Sequence, residues 1–264
     1  MAKRSARRRI ARDPNAIGRY DGDNVRRLFD DGPAGRPERK GQHREWSPVD
    51  EEEPREQKYR KTIRPQNDAQ ARFLAVMDEA ALVFALGAAG TGKTYLAIAK
   101  AVEALEAGRV RRIVLSRPAV EAGESLGFLP GDMQEKLSPY LRPLYDALCD
   151  RLSSRRLKAL TAEGVIEIAP IAYMRGRTLN SAFIVIDEAQ NCTYGQLKML
   201  LTRLGWHSSM VVTGDPAQTD LLPGMSGLED AASRLEKLAN VGVIRFTRSD
   251  VVRHPLVAEM IDAL

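Results

Sequence analysis

Residues 81–94 read ALVFALGAAGTGKT: an apolar run, Ala81 to Leu86, that breaks into Gly87-Ala88-Ala89-Gly90-Thr91-Gly92-Lys93-Thr94. That is the pattern G-x-x-x-x-G-K-[ST], with a strand-like segment before it and a helix-like one, Tyr95 to Val102, behind it. Each residue type has a task. Gly87, Gly90 and Gly92 let the backbone turn tightly and approach an anion with no Cβ in the way. The loop's N–H groups and the helix start behind them make an anion cradle. Lys93 sets a cation on the terminal phosphates, and the Thr94 hydroxyl is placed to ligate Mg²⁺. Residues Gly87 to Tyr95 are therefore the expected contacts to a nucleoside triphosphate.

Outward from that loop the chain alternates. A helix is expected around Gln70–Met77, and the helix after the loop is expected to stop at Gly108. Arg112–Ser116 reads as a strand apolar on both faces, as parallel strands covered by helices are. Residues 117–131 read as a loop broken by Gly and Pro, followed by short helices capped by Asp132 or Ser138. Val165–Ala169 and Phe183–Glu188 read as strands. Thr193 caps a helix expected over Tyr194–Leu204 and stopped at Gly205. Then come strand Met210–Thr213, helix Leu228–Leu238, strand Val243–Phe246 and helix Pro255–Ala263. Strand and helix in turn imply one doubly wound α/β domain with a mainly parallel sheet. Its ligand belongs at the carboxyl ends of the strands.

Composition narrows the class. The chain has 264 residues, 44% hydrophobic and 28% charged, with no apolar run long enough for a membrane span. No hydrophobic signal segment is expected. Two lone cysteines, Cys149 and Cys192, suit a reducing cytosol, and three scattered histidines make no zinc-ligand spacing. Residues 1–62 hold 17 Lys+Arg against 12 Asp+Glu, while the remainder holds 23 of each. The basic excess belongs to this N-terminal stretch. With few apolar residues and no period it is expected to be mostly disordered, apart from a short helix near Asn24–Phe29.

Further chemistry sits at other strand ends. Asp187 and Glu188 follow four apolar residues. The first carboxylate suits a water-shelled Mg²⁺, and the second can orient or deprotonate an attacking water, which favours hydrolysis over transfer to a small molecule. Thr213-Gly214-Asp215-Pro216-Ala217-Gln218 is either an ordinary Asp-Pro turn or a γ-phosphate sensor, with Gln218 reaching the phosphate or the water. Arginines available to neutralise transition-state charge are Arg117, Arg175, Arg177, Arg248 and Arg253. Arg117, Arg142, Arg175 and Arg177, interleaved with Phe128, Tyr140, Tyr145 and Tyr173, are candidates for single-stranded nucleic acid.

The segments GAAGTGKTYLAIAKAVEAL, ESLGFLPGDMQEKL, AYMRGRTLNSAFIVIDEAQNC, VVTGDPAQTDL and DVVRHPLV resemble the PhoH-like ATPases over about residues 62–264. That family is similar to the first RecA-like domain of superfamily-one helicases. The resemblance implies a RecA-like P-loop fold, ATP with Mg²⁺, and Gln70 as the reader of adenine. It makes Asp187 and Glu188 the acidic pair and Gln218 part of the next helicase motif. It also implies a homo-oligomer, in the family six subunits, with ATP between neighbours and Arg253 as first choice for the arginine supplied across the interface. RNA or single-stranded DNA is the expected partner, with a protein-directed ATP switch as the alternative. Residues 1–62 are too short and irregular for the PIN-type nuclease domain of some members, so no nuclease activity is expected.

Overall fold

Asn67 caps the first helix of the described residues: its Oδ1 accepts from Gln70 N at 2.8 Å, so α1 runs Asp68–Glu79. The computed structural model describes residues 62–118 and 133–252, all within the unit Trp46–Leu264. Strand β1 (Leu82–Gly87) leads into α2 (Lys93–Glu106). Gly108, at φ 68°, ends that helix as expected, with Arg109 N bonded back to Ala104 O. Next come β2 (Arg112–Ser116), α3 (Met133–Cys149), α4 (Ser154–Ala162), β3 (Ile166–Ile168), β4 (Ala182–Ile186), α5 (Tyr194–Leu201), β5 (Ser209–Gly214), α6 (Leu228–Leu235) and β6 (Val241–Phe246).

The six strands form one parallel sheet in the order β3-β2-β4-β5-β1-β6. Period-two alternation sends Val83, Ala85, Phe183 and Val185 to the face covered by α1–α4. Leu82, Phe84, Ile184 and Ile186 go to the face covered by α5 and α6. Both faces are buried, which is why these strands read as continuous apolar runs. Phe73 of α1 meets Phe246 of β6 edge-on, ring centroids 5.7 Å apart, and this ties the first helix to the last strand.

Several expectations need correcting. The short helices before Cys149 are one helix, α3, which contains Pro139 and Pro143. Each proline removes an internal hydrogen bond. The helix continues because it packs on α2 and buries Leu144 and Leu148 completely. Helix α4 was not anticipated; Ser153 caps it, and Leu157 and Leu160 bury its apolar edge. Helix α5 ends at Leu201, and Gly205 is not its stop: its N–H bonds Leu179 O instead. Strand β4 ends at Ile186, before the acids, and α6 ends at Leu235. The N-terminal stretch through residue 61, the segment 119–132 and the helix at 255–263 lie outside the described residues.

The strand order positions the site. Strand β5 lies between β1 and β4, so Thr213, Gly214 and Asp215 at its carboxyl end stand between the phosphate loop and Asp187-Glu188.

Candidate nucleotide site

The phosphate loop is held from within. Gly87, Gly90 and Gly92 have φ of 129°, 82° and 84°, values that L side chains rarely adopt. A Cβ on Gly87 would also strike the Phe246 carbonyl of β6. The Thr91 hydroxyl, wholly buried, donates to Ala88 O at 2.9 Å and closes the loop on itself. Lys93 Nζ donates to Gly87 O at 2.6 Å and Ala88 O at 2.7 Å, so its charge sits in the mouth of the loop. Burial pushes the Lys93 ammonium below its ordinary value, and the carboxylates of Asp215, Glu188 and Asp187 oppose that shift.

Two neighbours brace the loop. Gln70, 4% exposed, donates to Thr91 O at 3.1 Å while its Oε1 accepts from Gln66 N at 2.8 Å. It thus ties α1 to the loop rather than lining the cleft. On the other side, Val252 N donates to Gly90 O at 3.0 Å, and Asn67 Nδ2 donates to Asp250 O at 3.0 Å.

The acids face the loop. Asp187, 3% exposed, accepts on one oxygen from two hydroxyls, Thr94 Oγ1 at 2.6 Å and Thr213 Oγ1 at 2.7 Å. Thr94 comes from the phosphate loop and Thr213 from β5, so one carboxylate joins three elements. Glu188 sits at φ 52°, ψ 40°, a left-handed conformation that costs a non-glycine residue energy, and it lines the cleft. Arg117, just after β2, reaches both acids: Nη1 lies 3.6 Å from Asp187 Oδ2 and Nη2 3.5 Å from Glu188 Oε1.

Gln190 is a site residue that sequence reasoning missed. It is 2% exposed, donates to Glu188 Oε2, and accepts from Asp215 N at 3.1 Å. The Thr219 hydroxyl bonds Gln190 O at 3.0 Å, and Asn191 pairs with Asp220 through two hydrogen bonds of 2.8 Å. The turn after β5 is therefore sewn to the turn after β4. Thr213 was read as a strand end and as part of a turn or γ-phosphate sensor, not as a partner of Asp187. The signal available for Gln190 was its place two residues after Glu188.

A cleft of about 280 Å³ lies among these parts, lined by the phosphate loop, Tyr95, Asp187, Glu188, Gly214, Asp215 and Gln218. A groove of about 400 Å³ along α5 and α6 is larger but holds none of these groups.

The other arginines are dispersed. Arg177 donates from both terminal nitrogens to Glu167, one bond at 2.7 Å; these bonds raise the pKa of Arg177 and lower that of Glu167. Its fork braces the turn after β3, where a phosphate contact was expected. Arg175 and Tyr173 are exposed on that turn, and Arg142 is exposed on α3. Tyr145 packs against the core, and burial raises its pKa. Arg248 is exposed in the turn Arg248–Asp250. Phe128 and Arg253 lie outside the described residues. Among the described residues no helix is long and apolar enough to cross a membrane.

A parallel sheet with a phosphate loop after β1, an acid pair after β4 and a polar strand end between them defines a RecA-like P-loop nucleotide-binding protein. The model of the family described as "PhoH-like protein" matches residues 62–264. The chain belongs to the PhoH-like protein family. It is 55% identical over 204 residues to a PhoH-like protein of Bacillus subtilis, covering 77% of this chain and 64% of that one. It is 58% identical over 204 residues to one of Mycobacterium tuberculosis, covering 77% and 58%. The chain thus spans about six-tenths of these relatives' length. Among solved structures, the large terminase of a thermophilic bacteriophage in complex with ADP aligns with TM-score 0.47 and 12% identity, over 75% of this chain and 50% of that one.

Proposed function

We propose that this chain binds ATP with Mg²⁺, hydrolyses it, and couples hydrolysis to RNA or single-stranded DNA. The observation that carries the reading is the convergence of Thr94 and Thr213 on one oxygen of Asp187, with Glu188 beside it on the cleft wall.

Thr94 and Asp187 suit Mg²⁺ by their chemistry: a hydroxyl and a carboxylate, 2.6 Å apart, offer two oxygen donors and leave room for water and phosphate oxygens. Bound there, the ion would neutralise charge on the β- and γ-phosphates. Lys93 holds the terminal phosphates. Glu188 accepts a proton from, or orients, the attacking water. Gln190 fixes one Glu188 oxygen, and Arg117 balances the acid pair. Gln218 stands at the cleft edge where a γ-phosphate would be sensed. Tyr95 lines the same cleft, and Gln70, engaged with Thr91 O and Gln66 N, would read an adenine only by releasing one of those bonds.

Among the described residues, those that line the cleft come from the strand ends and the phosphate loop, which supports completion by a neighbouring subunit in a homo-oligomer of the family's six-fold kind. Arg253 stays the proposed arginine. Val252 is tied to its own phosphate loop, so an arginine acting on the same chain's cleft is the alternative. Mixing Arg253→Ala subunits with Lys93→Ala subunits separates the two: activity returns only if the arginine acts across subunits.

The deciding experiment is Mg²⁺-dependent ATP hydrolysis with and without poly(U) or single-stranded DNA, beside Glu188→Gln and a native mass. Hydrolysis raised by nucleic acid and abolished in Glu188→Gln upholds the reading. Hydrolysis indifferent to nucleic acid transfers it to an ATP switch acting on a protein, for which the balanced charge of residues 63–264 speaks. No hydrolysis by a folded oligomer overturns it.

A further inference from the structure

Trp206 is 81% exposed, on the loop between α5 and β5. An indole left in water forgoes the burial its large apolar area offers. The loop beneath it is not loose. Trp206 N donates to Asn180 Oδ1 at 2.9 Å, and Trp206 O accepts from Ser181 N at 2.8 Å. Ser208 Oγ donates to Leu179 O at 2.6 Å and accepts from Ala182 N at 3.0 Å. Arg111 N donates to Ser181 O at 2.7 Å. Three lead-ins, to β2, β4 and β5, are thereby locked together at the amino edge of the sheet, opposite the nucleotide cleft.

Two of the three non-glycine residues with positive φ among the described residues lie here, Ser181 at 49° and His207 at 57°. The third is Glu188 in the cleft. Strain of this kind persists where surrounding structure imposes a geometry, and it clusters at functional sites. Here it holds an indole outward on a rigid base.

The charge of the same lead-ins selects the partner. Residues 107–111, 178–181 and 202–208 carry Arg109, Arg111 and Arg203 and no carboxylate. Arg109 is offset by Asp78 and Glu103 from the neighbouring helices. Arg203 donates to the carbonyls of Met199 and Arg177, neutral oxygens that leave its charge in place. Arg111 is exposed. Trp206 is also the one exposed large apolar side chain on these lead-ins. A protein interface wants a broader apolar centre. A flat exposed ring on lead-ins that also carry Arg111 and Arg203 suits a base stacked on the ring and phosphates on the cations.

We propose that Trp206, with Arg111 and Arg203, is a stacking platform for single-stranded nucleic acid at the amino edge of the sheet. The proposal rests on the nucleic-acid reading above but places a contact where that reading does not.

The chain has two tryptophans, Trp46 and Trp206, so full-length Trp46→Phe leaves Trp206 as the sole indole. Its fluorescence is titrated with poly(U) and with a mixed-sequence single-stranded DNA, while anisotropy of the labelled strand reports binding anywhere on the protein. The expected result is quenching that parallels the anisotropy and fades with salt. Trp206→Ala should weaken binding between about fivefold and a hundredfold, the worth of one base stack, and Trp206→Phe should recover part of it. Binding by anisotropy with an unquenched indole overturns the platform and leaves nucleic-acid coupling intact. No binding by either readout overturns both. A blue shift that grows with protein concentration and without nucleic acid makes Trp206 a self-association contact, and also overturns it.

Discussion

Replacing Thr213 by valine removes one hydroxyl and almost no volume, so little cavity forms. What is lost is the 2.7 Å bond to Asp187 Oδ1, in a place where Thr213 is wholly buried and Asp187 is 3% exposed. A hydrogen bond to a charged group is worth about 1.5–3 kcal/mol. In a domain of this size that lowers Tm by roughly 3–12 °C. The second consequence is chemical. Asp187 would keep Thr94 at 2.6 Å and Arg117 at 3.6 Å, but nothing from β5 would fix its rotation. Partners that orient a metal-holding carboxylate are worth roughly 10–100-fold in metal affinity. Thr213→Val should therefore shift the Mg²⁺ concentration for half-maximal hydrolysis upward by at least about tenfold, whereas Thr213→Ser should keep it near wild type. Thermal unfolding measures the first effect and Mg²⁺ titration of ATP turnover the second. Thr94→Ala with Thr213→Val should be non-additive, since both hydroxyls share one oxygen. If Thr213→Val melts within about 1 °C of wild type and keeps its Mg²⁺ dependence, the reasoning from shared geometry is wrong.

Burial pushes the Cys192 thiol up to about 12, and its side chain is fully enclosed. Iodoacetamide at about pH 8, near the ordinary thiol value, should alkylate Cys149 and spare Cys192 until denaturant is added, as peptide mass mapping will show. The Arg177 hydrogen bonds hold the Glu167 carboxyl below its ordinary value. A carboxylate lowered on folding contributes stability above its unfolded value of about 4.3 and loses it as pH falls through the folded value. Glu167→Gln should thus cost at most about 1 kcal/mol at pH 7, since the pair is one-third exposed, and the difference from wild type should fade as pH falls through the folded value.

The phosphate loop was legible because its glycines and Lys93 act through backbone and local sequence, and because the apolar strand before it needs no partner to be recognised. Thr193 was legible for the same reason: its cap and the answering Gln196 lie three residues apart. Gln190 was not. Its importance lies in touching Glu188 and Asp215 at once, and Asp215 is brought there by a strand 25 residues further on. Arg117 was picked out only as an arginine, since its nearness to the acids depends on β2 lying beside β4. Helix α3 misled because Pro139 and Pro143 are local signals, while the packing that overrides them is not. Helix α4 was hidden by its charges, SRRLKALTA, in which two buried leucines carry the whole amphipathic message. Trp206 gave no sign in sequence, where an indole next to a helix looks like core.

The bond from Val252 N to Gly90 O joins the phosphate loop to the segment after the last strand, and Asn67 joins that segment to the start of α1. Three stretches far apart in the chain thus share one small knot. Linkage then runs both ways: if filling the loop tightens the knot, tightening the knot must favour filling the loop by the same free energy. A force or a partner acting beyond Val252 would then change how firmly phosphate is held, and ATP would in turn report its presence to whatever is attached there.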